Sequence, residues 1–264
     1  MAKVYLDPGH GGYDDGAVKY VTEDKVNLVM ALACRDYLVA NGVEIKMSRT
    51  TDVGTSITKM ANEANEWGAD YAVSFHNNAG GGDGFEAYYG IGSDMNGSKG
   101  LAAAIEAEVK KIGQNSRGLK TKAQKENPKV DYFGFIRLTK MPAVILEGAF
   151  VDNKKDAAQI DTIAEQKAFG VAYAKGILKK LGITPNEGSG KTSGSGTKPS
   201  NAGYLVKVKV GALNIRSGKG TNYDVTGVIR DKGVYTIVET DRTGKWGKLK
   251  SGKGWIYLQY TKKV

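Results

Sequence analysis

The chain has 264 residues, of which 41% are hydrophobic and 25% are charged, as in soluble globular proteins with one large or two modest domains. Its net charge is +10, and no apolar run approaches the ~20 residues of a membrane-spanning helix, which argues against membrane insertion. A single cysteine, Cys34, excludes an internal disulfide framework. Cys34 lies on the apolar face of a predicted helix, so we expect a buried structural thiol rather than a catalytic one.

The first 182 residues alternate predicted strands with predicted helices. Apolar side chains recur at helical spacing in four segments: 24–41, 56–67, 101–112 and 155–181. Short apolar runs predict strands at 4–6, 43–47, 71–75, 85–89, 133–138 and 143–146. This alternation favours an α/β domain with a mostly parallel sheet flanked by helices.

A change of composition then divides the chain. Residues 183–203 are predicted to form a linker, because Gly and Ser dominate that stretch. Residues 204–264 contain six short apolar segments separated by turns and show no helical period, which predicts a small all-β barrel. Thirteen basic residues against four acidic ones give residues 203–264 a net charge of +9. That excess favours a polyanionic partner, and nucleic acid and anionic cell-wall polymer both qualify on charge alone, although the lysines can also serve solubility.

The only two histidines of the chain both follow predicted strands. His10 lies in a glycine-rich turn after the first strand, and His76 directly follows the strand at 71–75. Glu147 directly follows the strand at 143–146, and Glu23 lies at the start of the first helix. Ligand sites of parallel α/β sheets form at the carboxyl ends of strands, so we expect these side chains to face one crevice.

Two imidazoles and one carboxylate form a ligand set suited to a catalytic zinc ion, because they leave a fourth position open. A second carboxylate that does not bind the metal can act as a general base. Spacing alone does not assign these roles. Glu23 also fits an acidic residue favoured by the helix N-terminus, and Glu147 also fits a structural acid paired with a nearby base.

Six short motifs follow one another along residues 2–181. They are residues 7–12 (DPGHGG), 23–28 (EDKVNL), 48–50 (SRT), 74–79 (SFHNNA), 84–89 (GFEAYY) and 141–153 (MPAVILEGAFVDN). In this order they resemble the zinc-dependent N-acetylmuramoyl-L-alanine amidases of the amidase-3 type. Small departures, such as Phe75 where the family often has Ile, do not touch a proposed ligand.

The resemblance implies a role for each of the four side chains. His10, Glu23 and His76 would bind one Zn²⁺, and Glu147 would be the catalytic carboxylate, first as general base and then as general acid. The substrate would be peptidoglycan. The bond cut would be the amide between the lactyl group of N-acetylmuramic acid and the L-alanine that begins the stem peptide.

Neighbouring residues of these motifs receive weaker assignments. Asn77 and Arg117 are predicted to contact substrate, and for Arg117 a role in stabilising a loop stays open. Glu86 fits an alternating strand residue better than a metal ligand. Asp7 is expected to shape the turn, or to orient a metal-binding imidazole by a hydrogen bond without binding the metal itself. The glycines at 9–12 are expected to leave room for a bulky substrate.

The C-terminal segment carries a second resemblance. Residues 213–223 (LNIRSGKGTNY), 244–249 (GKWGKL) and 252–256 (GKGWI) resemble bacterial SH3-type domains, which commonly bind cell walls. The resemblance predicts an SH3-like wall-binding domain at 204–264. Trp246 and Trp255 are candidate wall contacts, with a role in the barrel core as the alternative. Peptidoglycan is the expected partner, and the positive charge also suits teichoic acid.

The N-terminus leads straight into the first strand, with no separate apolar segment and no cleavage site of a signal peptide. We therefore expect a phage or prophage endolysin that stays in the host cytoplasm until it is released to the cell wall. The alternatives are a bacterial autolysin or sporulation amidase without its leader, and a non-catalytic wall-binding protein. Nucleic-acid binding is not expected, because no DNA- or RNA-reading motif is present.

Overall fold

A computed structural model of the chain describes residues 1–91, 97–185, 204–221, 223–241 and 245–264. The chain divides into two units, residues 1–193 and 194–264. Most of the predicted linker at 183–203 lies outside the described residues, so its bounds remain a prediction.

The first unit alternates strands and helices as the sequence predicts. Its strands are β1 (Lys3–Pro8), β2 (Glu44–Met47), β3 (Tyr71–Asn78), β4 (Phe85–Tyr89), β5 (Ser116–Lys120) and β6 (Ala143–Phe150). Its helices are α1 (Glu23–Ala40), α2 (Ile57–Trp67), α3 (Ser98–Lys111), α4 (Gly134–Leu138), α5 (Lys154–Ala157) and α6 (Ile163–Lys180).

Local sequence signals set the ends of the helices. The Ser56 hydroxyl accepts a hydrogen bond from the backbone N–H of Lys59 and caps the start of α2. Gly68 ends that helix in the left-handed conformation that glycine adopts without strain. Thr162 and Glu165 form a capping box at the start of α6.

The six strands form one mixed sheet in the order β2-β1-β3-β6-β4-β5. Every pairing is parallel except that of β4 with β6, which is antiparallel. The mostly parallel sheet is thus confirmed in its larger part. This arrangement places the carboxyl ends of β1, β3 and β6 at the same end of the sheet as the amino ends of β4 and β5.

Apolar residues cover both faces of this sheet. On one face, α1, α3 and α6 bury a large core that includes Met30, Ile105, Phe75 and Tyr173. On the other face, α2 and α4 bury a smaller core with Tyr5 and Ile145 of the sheet. Cys34 is fully buried in the larger core, as expected, and burial raises the pKa of its thiol.

Two sequence predictions differ from the structure. The predicted strand at 133–138 is wrong. This segment contains the short helix α4, which buries the neighbouring residues Phe135 and Ile136. Six residues are too few for periodicity to separate a buried strand from a helical turn. The polar edge strand β5 carries no apolar alternation and was not predicted at all.

The second unit is built from strands without a long helix in its described residues. The strands are β7 (Tyr204–Val208), β8 (Leu213–Arg216), β9 (Val225–Ile229), β10 (Val234–Thr240), β11 (Trp246–Leu249), β12 (Trp255–Tyr257) and β13 (Thr261–Lys263). They form an antiparallel sheet in the order β13-β7-β10-β11-β12-β8-β9 around its own apolar core. The six predicted strands are present, and β13 adds one that the sequence did not indicate.

None of the helices in the described ranges combines the length and the apolar character needed to cross a bilayer.

Candidate metal centre and catalytic site

His10 lies in the tight loop after β1. Its backbone φ of 62° is the only positive φ of a non-glycine residue in the described ranges. This left-handed conformation is uncommon for a residue with a side chain, and surrounding contacts must hold it. Arg49, only 3% exposed, supplies them by donating hydrogen bonds to the carbonyls of Pro8 and Gly9.

Glu23, the first residue of α1, is buried beside His10. One of its carboxylate oxygens, Oε1, lies 3.2 Å from Nε2 of His10 and 3.1 Å from Nδ1 of His76. The backbone N–H groups of Ala17 and Asn77 donate hydrogen bonds to the same carboxylate. The N-terminal end of a helix also favours a negative charge. The carboxylate is therefore held in one orientation and kept ionised.

His76 and Glu147 lie side by side on β3 and β6. Both strands extend further than predicted, so these residues lie within the strands rather than after them. His76 is the register partner of Glu147, and its ring meets the His10 ring edge-on at a centroid distance of 4.9 Å. The structure thus brings His10, Glu23, His76 and Glu147 together from β1, α1, β3 and β6.

The donor atoms of this cluster fit a metal ion. One ligand atom each from His10, Glu23 and His76 lies within 4.8 Å of the others. Asp14 lies 2.8 Å from Nδ1 of His10 and can only accept there, so Nδ1 carries a proton and Nε2 is the nitrogen that faces Glu23 and could bind a metal. Two imidazoles and a carboxylate are the donor set of a catalytic zinc site with an open position.

Two glycines make room for this cluster. A Cβ atom on Gly9 would collide with the imidazole of His76. A Cβ atom on Gly16 would lie 2.6 Å from Oε2 of Glu23 and 2.7 Å from Cδ2 of His10. The glycine at position 9 is therefore required by its packing against His76, and room for substrate at residues 9–12 remains a prediction.

The pKa values of His10, Glu23 and His76 depend on the hydrogen bonds that join these three side chains. Burial opposes ionisation of Glu23, but hydrogen bonds to His10 and His76 outweigh it and lower the pKa of this carboxyl far below its usual range. The hydrogen bond to Glu23 is the main reason why the pKa of His10 rises to about 9. Burial opposes the charged form of His76, yet the same carboxylate raises its pKa as well.

Glu147 differs from Glu23 in its surroundings. The carboxylate of Glu147 has no hydrogen-bond partner among the described residues, whereas Glu23 has several. Burial raises the pKa of Glu147 to about 7, and the negative charges of Glu23 and Glu86 add to the effect of burial. A carboxyl group with such a pKa can accept and return a proton near neutral pH.

Asn77 lies behind the ligands. Its side chain is 2% exposed and donates a hydrogen bond to Asn27, while its backbone N–H binds Glu23. This placement favours a role in holding Glu23. Direct contact with substrate remains a prediction for Asn77.

Asp7 also differs from its expected role. It accepts hydrogen bonds from the hydroxyls of Ser48 and Ser74 and ties β1 to its neighbours. Asp14, four residues after His10, holds the imidazole instead. Asp14 is not among the residues predicted from sequence, although an acidic residue just after the motif at 7–12 is a usable signal for a partner of His10.

Arg117 and Glu86 lie on the other side of Glu147. Glu86 is 3% exposed and stands opposite Glu147 in the antiparallel register of β4 and β6. Nε of Arg117 and Nζ of Lys120 each lie 2.5 Å from Oε1 of Glu86. Glu86 is not one of the clustered metal donors. Lys120 is not among the site residues predicted from sequence, although it contacts Glu86.

The two tryptophans of the second unit are largely buried, with 8% of each side chain exposed. Trp246 packs against Tyr257 with the rings tilted by 46° at a centroid distance of 5.1 Å, and both residues border a groove of about 370 Å³ that also includes Arg216. Nζ of Lys219 lies 5.5 Å from the ring centroid of Trp255. Wall contact by Trp246 and Trp255 remains a prediction.

Comparison with known proteins agrees with this geometry. The chain matches the N-acetylmuramoyl-L-alanine amidase family of the amidase-3 type over residues 4–179. It is 36% identical to the N-acetylmuramoyl-L-alanine amidase CwlM of Bacillus licheniformis over 70% of this chain and 71% of the relative. It is 34% identical to the endolysin of Bacillus phage SPP1 over 74% of each chain.

A solved structure shares the fold of the first unit. The catalytic domain of CwlV, an N-acetylmuramoyl-L-alanine amidase from Bacillus (Paenibacillus) polymyxa var. colistinus, superposes with a TM-score of 0.62 at 29% identity. The match covers 70% of this chain and all of that domain. The fold and the cluster define an α/β amidase domain. The chain belongs to the amidase-3 family of N-acetylmuramoyl-L-alanine amidases.

Proposed function

We propose that this protein is a zinc-dependent peptidoglycan amidase that cleaves the bond between N-acetylmuramic acid and L-alanine. One observation carries the proposal: three metal-donor side chains converge within 4.8 Å, and Glu147 is the register partner of one of them. His10, Glu23 and His76 would hold the Zn²⁺. When bound, the ion supplies Lewis-acid polarisation of the amide carbonyl and makes nearby water more acidic.

The residues of the chain supply the proton transfers. Glu147 accepts a proton from the attacking water as the new C–O bond forms, because its raised pKa suits that task. The same carboxyl group then returns the proton to the nitrogen of L-alanine as the C–N bond breaks. The products are the free lactyl carboxylate of the muramic acid and a stem peptide with a new N-terminal amine.

The test is the release of N-terminal alanine from purified peptidoglycan. The wild-type protein with zinc should release it, and a chelator should abolish the release. Glu147→Gln should lower kcat by roughly 100- to 10,000-fold, in the range of a lost general base. The variant should still bind zinc, since Glu147 is not one of the clustered donors. If the zinc-loaded wild type releases no alanine, the proposal is wrong.

The second unit is proposed to be an SH3-like domain that brings the enzyme to the wall. Two features support this proposal: the net charge of +9 of residues 203–264, and a groove lined by Arg216 together with the aromatic residues Trp246, Tyr257 and Tyr260. Peptidoglycan is the proposed ligand, and teichoic acid is a further anionic candidate. Pull-downs with walls that contain or lack teichoic acid, set against a DNA gel shift, would separate these partners. A DNA shift at matched salt would contradict the proposal.

We also propose that the protein acts as a phage or prophage endolysin, held in the host cytoplasm until it reaches the wall. The endolysin relative supports this origin, and the bacterial amidase relative supports the alternative of a host autolysin or sporulation amidase. A pore-forming gene beside the gene for this chain would favour the endolysin. A chromosomal neighbourhood of sporulation or wall-turnover genes would favour the host enzyme. A non-catalytic wall-binding protein is disfavoured, because all four site residues are present and clustered.

A further inference from the structure

A row of charged side chains crosses the sheet beside the proposed metal site. His76 on β3 pairs with Glu147 on β6, and Glu147 pairs with Glu86 on β4. Register partners point to the same face of a sheet, so these three side chains share one face. β5 extends the row, because Arg117 and Lys120 both reach Glu86.

Glu86 is anchored so that it can hold these two cations. Its other oxygen, Oε2, accepts hydrogen bonds from Nδ2 of Asn78 at 3.2 Å and from the hydroxyl of Tyr88 at 3.4 Å. Oε1 faces Arg117 and Lys120. A like-charged pair such as Glu86 and Glu147 is unfavourable when directly opposite on neighbouring strands, and the cations on Glu86 relieve it.

The combined positive charge of Arg117 and Lys120 is larger than the negative charge of Glu86. Two positive side chains on one carboxylate leave a surplus of one positive charge. Asp83 acts on Arg117 only at longer range, and Lys155 lies 4.0 Å from Asp83. Arg117 and Lys120 are 43% and 34% exposed, so both are open to solvent. In the described part of the chain, Nη1 and Nη2 of Arg117 have no hydrogen-bond partner.

We infer that Arg117 and Lys120 form a subsite for a carboxylate of the stem peptide, with Glu86 as its positioning residue. The inference rests on the proposed function. Neighbouring strands are ~4.8 Å apart, so β5 lies roughly 10 Å from Glu147. In an extended substrate, the α-carboxylate of the second stem residue lies roughly 7 Å from the scissile carbonyl carbon. Long basic side chains that lean toward Glu86 close the remaining gap. The free guanidinium edge of Arg117 matches a carboxylate in shape and charge.

The subsite predicts selectivity for the charge of that second residue. N-acetylmuramoyl-L-alanyl-D-glutamate carries a free α-carboxylate, and N-acetylmuramoyl-L-alanyl-D-isoglutamine carries an amide in its place. The zinc-loaded wild type should cleave the acid with a kcat/KM roughly five- to tenfold higher than that of the amide, in the range of a half-exposed charge-assisted contact. The preference should appear mainly in KM.

Variants separate this subsite from other causes. Arg117→Ala with Lys120→Ala should bring the ratio of acid to amide close to one while cleavage of the amide continues. Arg117→Lys should keep part of the preference, since it retains charge without the planar fork. Lys110→Ala, which removes an exposed cation on α3, is the matched control and should leave the ratio unchanged.

The outcomes distinguish this inference from the proposed function. A wild-type ratio near one, or a preference that survives in the double variant, would overturn the subsite. Calorimetric binding of L-alanyl-D-glutamate and L-alanyl-D-isoglutamine to the zinc-loaded protein adds a readout that does not require cleavage. Tighter binding of the acid, lost in the double variant, supports the subsite even if neither muramyl substrate is cut. In that case the amidase proposal fails and the subsite does not.

Discussion

Asp14 lies 2.8 Å from Nδ1 of His10 and fixes which ring nitrogen carries the proton. Nε2 of His10 is therefore the nitrogen left for a metal ion, and in the metal-free protein it donates a hydrogen bond to Glu23, 3.2 Å away. Asp14 is itself 68% exposed, so this hydrogen bond reaches from the surface of the loop to the centre of the ligand cluster. An exposed carboxylate thus orients the imidazole of a proposed metal ligand whose backbone has an uncommon left-handed conformation.

Replacing Asp14 should weaken zinc binding without unfolding the protein. Asp14→Asn removes the charge that orients the imidazole, and loss of such a partner lowers metal affinity by roughly 10- to 100-fold. Competition against a chelator of known affinity measures the change. Asp15→Asn alters an exposed acid in the same loop and serves as control. Equal affinities for the Asp14 variant and the wild type would contradict the role of Asp14.

Zinc affinity should rise with pH up to about 9. The pKa of His10 in the metal-free protein is about 9, above its ordinary value, so the imidazole is protonated at neutral pH. A protonated imidazole cannot bind metal, and zinc must displace the proton. The affinity should therefore fall about tenfold for each unit of acidification per proton released. Calorimetry in buffers of different ionisation enthalpy counts the protons; release of none at pH 7 would contradict the assignment.

Gly16→Ala should damage the ligand cluster, whereas Gly42→Ala should not. Both glycines have a positive φ, 66° and 80°, so alanine brings a similar strain of about 1–2 kcal/mol at each position. Only at Gly16 does the new Cβ meet ligand atoms, since nothing lies within 4 Å at Gly42. We expect both metal-free variants to lose thermal stability, Gly16→Ala more than Gly42→Ala because of the added collision, and only Gly16→Ala to lose zinc binding. Unchanged zinc affinity in Gly16→Ala would show that the loop yields to the added methyl group.

The rate of the zinc-loaded enzyme should fall on the acidic side of neutrality. Glu147 must be ionised to accept a proton, and burial sets its pKa at about 7 in the metal-free protein. A cation bound nearby favours the ionised form, so the apparent pKa should lie below about 7. The profile of kcat/KM at saturating zinc should thus rise with pH through that value. The residual kcat/KM of Glu147→Gln should not show this rise with pH. If the same rise is present in the variant, a group other than Glu147 causes it.

Binding of the full chain to cell walls should weaken as salt is added. The basic excess of the second unit acts mainly through exposed charges, and the screening length falls from about 10 Å at 0.1 M salt to about 3 Å at 1 M. Sedimentation with purified walls across this range measures the retained fraction. Cleavage of a small soluble muramyl peptide is the internal control, since it is not expected to require the second unit. Retention independent of salt would point to apolar contacts in the groove beside Trp246 instead.

Much of this protein follows from its sequence. His10 and His76, the only histidines, together with Glu23 and Glu147, lie in motifs that predict the metal ligands and the catalytic carboxylate, and the structure brings the four side chains together. Periodicity and glycine placement also fix most of α1, α2 and α6, because helix period and capping are local properties.

The tertiary structure decided the parts that depend on contacts between distant segments. Gly9 follows β1 and packs against His76, which lies 67 residues further along the chain, so local sequence does not reveal this neighbour. A Cβ atom at position 9 would collide with the imidazole only after β1 and β3 have paired. From the sequence, Glu86 fits an alternating strand residue, and Arg117 is a candidate substrate contact with loop stabilisation as the alternative. They join the row beside Glu147 only because β4 pairs antiparallel with β6 and carries β5 with it. Local patterns set elements and motifs, while strand order sets which charges meet.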